Sequence, residues 1–488
     1  MSFALLKALE TVEIDTFANF AKSRIFIKIT LIHYNKLFNL VNDFEKVSLP
    51  FWLKKMLFYA KISTGVDSME NISKKVLKRS QLMYVFEATF EYLVSILVGG
   101  TFLATITKNL GLSDSLTGIL SSIISLGCLF QLTSVFIKRQ KLKSIIVTFS
   151  VINQLLFASL YVIPLFNFSK TAKTIIFVVA IVLAYLIYNI IHPKKIGWMM
   201  SVVDYSNRGN FTAKKEMTSL IFGMIFSYSM GSVVDYFKDK GEIRIAFTIC
   251  AIVISSLMVL HTISMLLTVE IECSSKPKIN IIKTLKAVLS NKKILSVAVL
   301  SLLYNVAGYS LTPFLGTYKI NELGFSLQFA SFLGILSSLS RCLVSIPWGK
   351  YADKTSFAKM IEKCFCVLSI SYLFVVFSNP KNGVVMLSLY YIFHGIALGG
   401  VNSALVNLIF DYAPEESRAD SLAVCQALSG IVGFLTTLIL SPVISIVQSN
   451  GNKIFGITAY AQPILAIIST LLSVIAVFYV RKFLIKKD

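Results

Sequence analysis

Trp348-Gly349-Lys350-Tyr351-Ala352-Asp353-Lys354 follows directly on an apolar run, and a second apolar run begins a few residues later. This spacing predicts a tight, charged turn between two membrane helices. Working outward, further apolar runs lie near 80–107, 114–137, 144–166, 173–192, 212–236, 245–269, 294–317, 325–347, 358–378, 384–410, 419–447 and 454–480. A helix crosses the hydrocarbon layer in about 20 residues, so these runs predict an all-α membrane protein with twelve transmembrane helices. The runs are continuous rather than alternating, which excludes a strand barrel. The linkers carry turn chemistry, as in Asn379-Pro380-Lys381-Asn382-Gly383 and Ser449-Asn450-Gly451-Asn452.

Composition agrees. The 488 residues are 55% hydrophobic and 15% charged, with a mean hydropathy of +0.73, where a soluble domain carries about a quarter charged residues. The formal charge of +22 does not signal a nucleic-acid binder, because Lys and Arg sit in the loops between apolar runs rather than on one basic face. The seven cysteines form no CxxC pair and fall mostly within apolar runs, so they read as small buried hydrophobes rather than a disulfide or zinc framework. No short apolar stretch with a small-residue cleavage site marks a secretory signal peptide at the N-terminus.

One set of loops holds Lys138, Arg139, Lys141, Lys194, Lys195, Arg208, Lys276, Lys350, Lys354 and Arg418 among others, and is about twice as basic as the opposite set. Cytoplasmic loops carry such an excess, so both termini are expected in the cytoplasm. Residues 1–77 contain no window able to span; they read as a cytoplasmic extension, either lying on the anionic inner leaflet or serving as a partner-binding arm. Residues 78–269 form a first six-helix bundle, 270–293 a cytoplasmic linker, and 294–488 a second bundle with a short basic tail. Gly118-Ile119-Leu120-Ser121-Ser122 recurs verbatim as Gly334-Ile335-Leu336-Ser337-Ser338, each in the second helix of its half. Asp204-Tyr205 with Arg208 is echoed by Asp411-Tyr412 with Arg418, each after a fourth helix. Two landmarks in one order point to a parallel repeat, hence to two pseudo-symmetric bundles.

The Trp348–Lys354 turn resembles the signature loop of the major facilitator superfamily. Gly349, Tyr351, Ala352, Asp353 and Lys354 match its pattern, while Ser356, Phe357 and Ala358 depart from the expected glycine and basic residues. In the first-half copy Ile137 stands opposite Asp353. The resemblance, over roughly residues 78–488, implies a membrane carrier working by alternating access, with this loop as a gate. Gly349, Asp353, Lys354, Arg208 and Arg418 are then candidate gating residues; the plainer reading is a positive-inside loop with a stray Asp. It also implies that the first, fourth, seventh and tenth helices line a central cavity, which would gather Tyr188, Asn305, Tyr309, His394 and Asn402.

Ionisable residues inside the runs speak to mechanism. Glu87 and Glu91 are one turn apart on the first helix, with Tyr84 on the same face. A charge near mid-membrane costs about 2.5–3.5 kcal/mol, so these carboxylates face a cavity and a partner, or form a protonated structural pair; two so close cannot both ionise cheaply. Arg341 lies about two turns from the Asp353 turn. It pairs with Glu87, binds an anionic solute, or snorkels to the inner face. No GxxxxGK[ST] is present for ATP-driven pumping, and no HExxH or paired metal ligand occurs among His33, His192, His261 and His394, so neither cofactor nor metal nor enzyme activity is expected. The expected partners are a small-molecule substrate with protons and membrane lipids, with no nucleic acid, the chain acting as a monomer. The expectation is therefore a proton-coupled secondary transporter of a small organic solute; a drug or metabolite efflux carrier and a non-transporting sensor of the same fold are the alternatives. Richness in Lys, Ile, Phe and Asn points to an AT-rich genome and a bacterial plasma membrane. Cysteine-accessibility mapping should place Lys138 and Asp353 on the same side of the membrane; opposite sides would break the repeat.

Overall fold

The computed structural model describes residues 74–130, 142–203, 208–270, 290–413, 418–454 and 457–485. Nearly all of the extension, most of the linker, the Lys138 turn and Asp204-Tyr205 lie outside the described residues. The chain runs α1 Lys74–Leu97, α2 Gly100–Asn109, α3 Asp114–Phe130, α4 Leu142–Val162, α5 Lys170–Ser201, α6 Arg208–Asp239, α7 Ile243–Leu267, α8 Lys292–Tyr309, α9 Leu327–Lys354, α10 Phe357–Val376, α11 Gly383–Tyr412, α12 Arg418–Ser449 and α13 Ala461–Phe483. Short turns over Thr312–Glu322 link α8 to α9, and a two-residue hairpin pairs Lys453–Ile454 with Ile457–Thr458.

Among the described residues nine helices are long and apolar enough to cross a membrane, or ten if α1 and α2, bent by 41° at Val98-Gly99, form one span. The chain is thus a multi-pass membrane protein. The shortfall from twelve has local causes: α3 has 17 described residues, and α10 carries Lys359, Glu362 and Lys363 in its first two turns. Large apolar side chains such as Ile225, Ile439 and Phe478 stand more than 60% exposed, a surface suited to lipid rather than water. Hydroxyls within the helices bond back to their own backbone, as Thr105 to Thr101, Ser301 to Val297 and Thr470 to Ala466, because lipid offers them no other acceptor.

The Asp353 turn is shorter than expected. Trp348–Lys354 forms the last turns of α9 rather than a loop, since helix continues past Pro347 and stops only at Thr355, and Ser356 caps α10 by accepting from the Lys359 N–H at 3.2 Å. Lys195 is a larger correction. Expected in a basic loop, it lies inside α5, which runs through Pro193 to Ser201; only 4% of its side chain is exposed.

Apolar packing divides by sequence position. One core cluster takes residues only from 294 to 484, whereas another takes residues from 93 to 257 with Ile320 and Leu327 added. Helices α3 with α12 and α6 with α9 pack across that divide. Small residues permit the tightest approaches: a Cβ at Gly395 on α11 would stand 2.3 Å from the Ser337 carbonyl of α9, while one at Gly334 would meet nothing within 4 Å. Backbone cannot retreat as a side chain can, so Gly395→Ala should lower stability by about 2 kcal/mol. Thermal unfolding of purified protein should show that loss, and no loss for Gly334→Ala.

Candidate functional site

Four ionisable side chains meet where the later turns of α5 reach towards the packed pair α1 and α7. Glu87 and Glu91 project from α1 one turn apart, Lys195 from α5 and His261 from α7. The Lys195 ammonium lies 2.8 Å from Glu87 Oε1 and donates a hydrogen bond to Glu91 Oε2. His261 Nε2 is 3.1 Å from Glu87 Oε1 and 3.5 Å from Glu91 Oε2. Glu87, Lys195 and His261 are buried, but Glu91 keeps 23% exposure and opens the cluster to a path.

Local sequence places each group. Pro193 removes one helix hydrogen bond without ending α5, so the chain carries Lys195 inward instead of into solvent. Its neighbours one and two turns back, His192 and Tyr188, pack as a tilted ring pair at 4.8 Å, and the Tyr188 ring lies 6.0 Å from the Lys195 ammonium. Tyr84 is buried one turn before Glu87, stacked on Phe211 at 5.5 Å with the Lys215 ammonium 5.0 Å from its ring.

Charge counting shows what the cluster can do. Two carboxylates face one permanent cation, so one negative charge remains unless a proton joins them. His261 Nδ1 has no hydrogen-bond partner; with Nε2 donating to Glu87, an added proton has two kinds of site in the cluster, the carboxylates and the Nδ1 lone pair. Glu87, Glu91 and His261 also each present one ligand atom within 4.8 Å of the others. The Lys195 ammonium already occupies the space between the same oxygens and supplies the charge a metal ion would.

The other expected residues lie elsewhere. Arg341 does not touch Glu87; it lines a cleft of about 390 Å³ between α9 and α11 with Asn402, Ser345, Gly349, Asp353 and Asn407. Asn305 donates to the Ser301 carbonyl of its own helix at 2.9 Å, and the Tyr309 ring covers Gly433. His394 packs against Tyr390 at 5.0 Å and Tyr372 at 6.3 Å in the core of the later helices. Gly349, Asp353 and Lys354 are exposed, while the side chains of Arg208 and Arg418 lie outside the described residues. At the opposite end Asp114 accepts from Asn321 at 2.6 Å and from Gln448 at 2.8 Å, Glu322 accepts from Gln448 and Asn452, and Asp235 accepts from the Leu327 and Gln328 N–H groups that open α9.

A family model described as Major Facilitator Superfamily matches residues 84–437. The chain belongs to the major facilitator superfamily. Among solved structures this superfamily member is similar to the nucleoside transporter NupG, at 13% identity and a TM-score of 0.62 over 84% of this chain and 100% of that one. It is similar also to the POT family transporter PepTSo, at 13% identity and a TM-score of 0.62 over 84% and 99%, and to a D-xylose-proton symporter, at 13% and 0.56 over 83% and 97%. Such identities speak for the shared fold. No curated protein matches the chain in sequence.

Lys195 and His261 are the site residues that sequence reading missed. The signal for Lys195 was two carboxylates requiring a cation, with a lysine only two residues beyond a proline in an apolar run; His261 lay in plain view inside the sixth apolar run, 245–269. Removing one partner of a buried ion pair costs about 3–5 kcal/mol. Lys195→Met should therefore destabilise strongly, and adding Glu91→Gln should recover much of the loss, as read by thermal unfolding of the purified variants.

Proposed function

We propose that the protein is a proton-coupled secondary transporter of a small organic solute, built as two six-helix bundles, 78–269 and 294–488, joined by the linker 270–293. The bent pair α1–α2 counts as one span and α3 and α10 complete twelve. Support comes from the division of the apolar core and from the cross-packing of α3 with α12 and α6 with α9, pairs that a twofold relation between halves interchanges. The excess of basic residues in one set of loops supports a cytoplasmic position for both termini, and the richness in Lys, Ile, Phe and Asn supports a bacterial plasma membrane. The Asp114 end then faces outward and is closed, and the exposed Asp353 end faces inward.

One observation carries the coupling: two carboxylates share one buried lysine where α1, α5 and α7 meet. A net charge there opposes any motion that seals the site from water. With one proton bound the cluster is neutral and the bundles can rock; without it they are held. Glu91, the more exposed carboxylate, is the group that exchanges the proton. Asp353 and Lys354, with Arg208 and Arg418, close the inner side in the alternate state.

Proteoliposomes with an imposed pH gradient test this reading. Glu91→Gln should abolish gradient-driven accumulation while solute exchange between the two sides continues, because Glu87 and Lys195 then balance without an added proton. Accumulation at the wild-type rate in that variant would refute the coupling role.

A further inference from the structure

Six carboxylates of the bundles have assignable partners. Glu87 and Glu91 belong to Lys195 and His261. Asp114 and Glu322 accept from Asn321, Gln448 and Asn452, and Asp235 caps α9. Glu362 holds Arg481 at 2.6 Å. Arg341 stands apart from all of these. Among the described residues its guanidinium makes no hydrogen bond and no ion pair, although the side chain is partly buried and lies within electrostatic range of Tyr92 on α1 and Tyr304 on α8. Asp353 lines the same cleft, but twelve residues along α9, about 18 Å by helical rise.

A guanidinium inside the membrane needs an anion, and the described residues supply none within hydrogen-bond distance. The cleft around it holds about 390 Å³; beside Arg341 its polar lining is Ser345, Asn402, Ser403 and Asn407, and Asn402 is exposed. Asp353 stands at the far end of α9, and Phe357, Met360 and Leu398 form apolar wall. That volume suits a small organic molecule, and the planar fork of arginine binds a carboxylate or phosphate through two parallel hydrogen bonds. We infer that the transported solute is a small organic anion, its carboxylate or phosphate held by Arg341 and its hydroxyl or amide groups met by Asn402 and Asn407. This rests on the transporter reading and names its substrate class. An anion also fits the charge balance of a cycle in which one proton enters with the solute.

The test uses the full chain in lipid nanodiscs, with thermal stabilisation as the readout and succinate, glucuronate, phosphoenolpyruvate, inorganic phosphate, glucose and tetraphenylphosphonium as probes. Glucuronate and glucose, both pyranoses, differ chiefly by the carboxylate and form the decisive pair. At least one organic anion should stabilise the protein, and Arg341→Gln should weaken it about a hundredfold. Arg341→Lys should restore part of the affinity, with the unliganded melting temperature unchanged in both variants. Stabilisation by glucose or the cation alone, by no organic anion, or by an anion equally in Arg341→Gln would overturn the inference. Stabilisation by inorganic phosphate alone would overturn it too, marking a bare oxyanion site. Exchange measured in proteoliposomes separates the two proposals. Anion binding through Arg341 without any exchange would sink the transport reading and leave the anion site standing. Exchange of a neutral solute that survives Arg341→Gln would do the reverse.

Discussion

A carboxylate inside a membrane-spanning helix must meet a positive partner or a proton, because lipid and apolar side chains offer no solvation. Glu87 and Glu91 meet this constraint through Lys195 and His261, and the geometry of the first bundle follows. Helix α5 has to continue through Pro193 to deliver the lysine, and α7 has to lie against α1 to deliver the imidazole. A buried ion cluster of this kind is weak evidence for stability. Its odd charge count, two carboxylates to one ammonium beside an imidazole, instead makes it sensitive to a single proton.

Polar contacts are distributed unevenly between the two ends of the molecule. Asp114, Asn321, Glu322 and Gln448 form a continuous network across the divide, while Asp235 of α6 caps the start of α9. Close packing accompanies it, since a Cβ at Gly118 would stand 2.0 Å from the Phe314 ring. At the other end Gly349, Asp353 and Lys354 are exposed. Hydrogen bonds between side chains are exchangeable, so such a network can hold one state of a rocking pair without making it permanent.

Membrane class was legible in the sequence because hydropathy over about twenty residues is a local property that lipid enforces. The family was legible from one loop, Gly349 to Lys354, because its glycine and charges keep a fixed spacing in sequence. The same local reading erred at Lys195, where a lysine beside a proline looks like loop chemistry and only the continuation of α5 and the reach of its lysine to Glu87 and Glu91 show otherwise. It also drew a loop at Trp348–Lys354 where α9 continues.

By itself, then, the sequence determined the all-helical membrane character, the superfamily, and the presence of costly charges at Glu87, Glu91 and Arg341. Tertiary structure alone decided which charge meets which, because partners 104 and 174 residues apart come together only through helix packing. It matched the two carboxylates with Lys195 and His261 and left Arg341 facing a cleft.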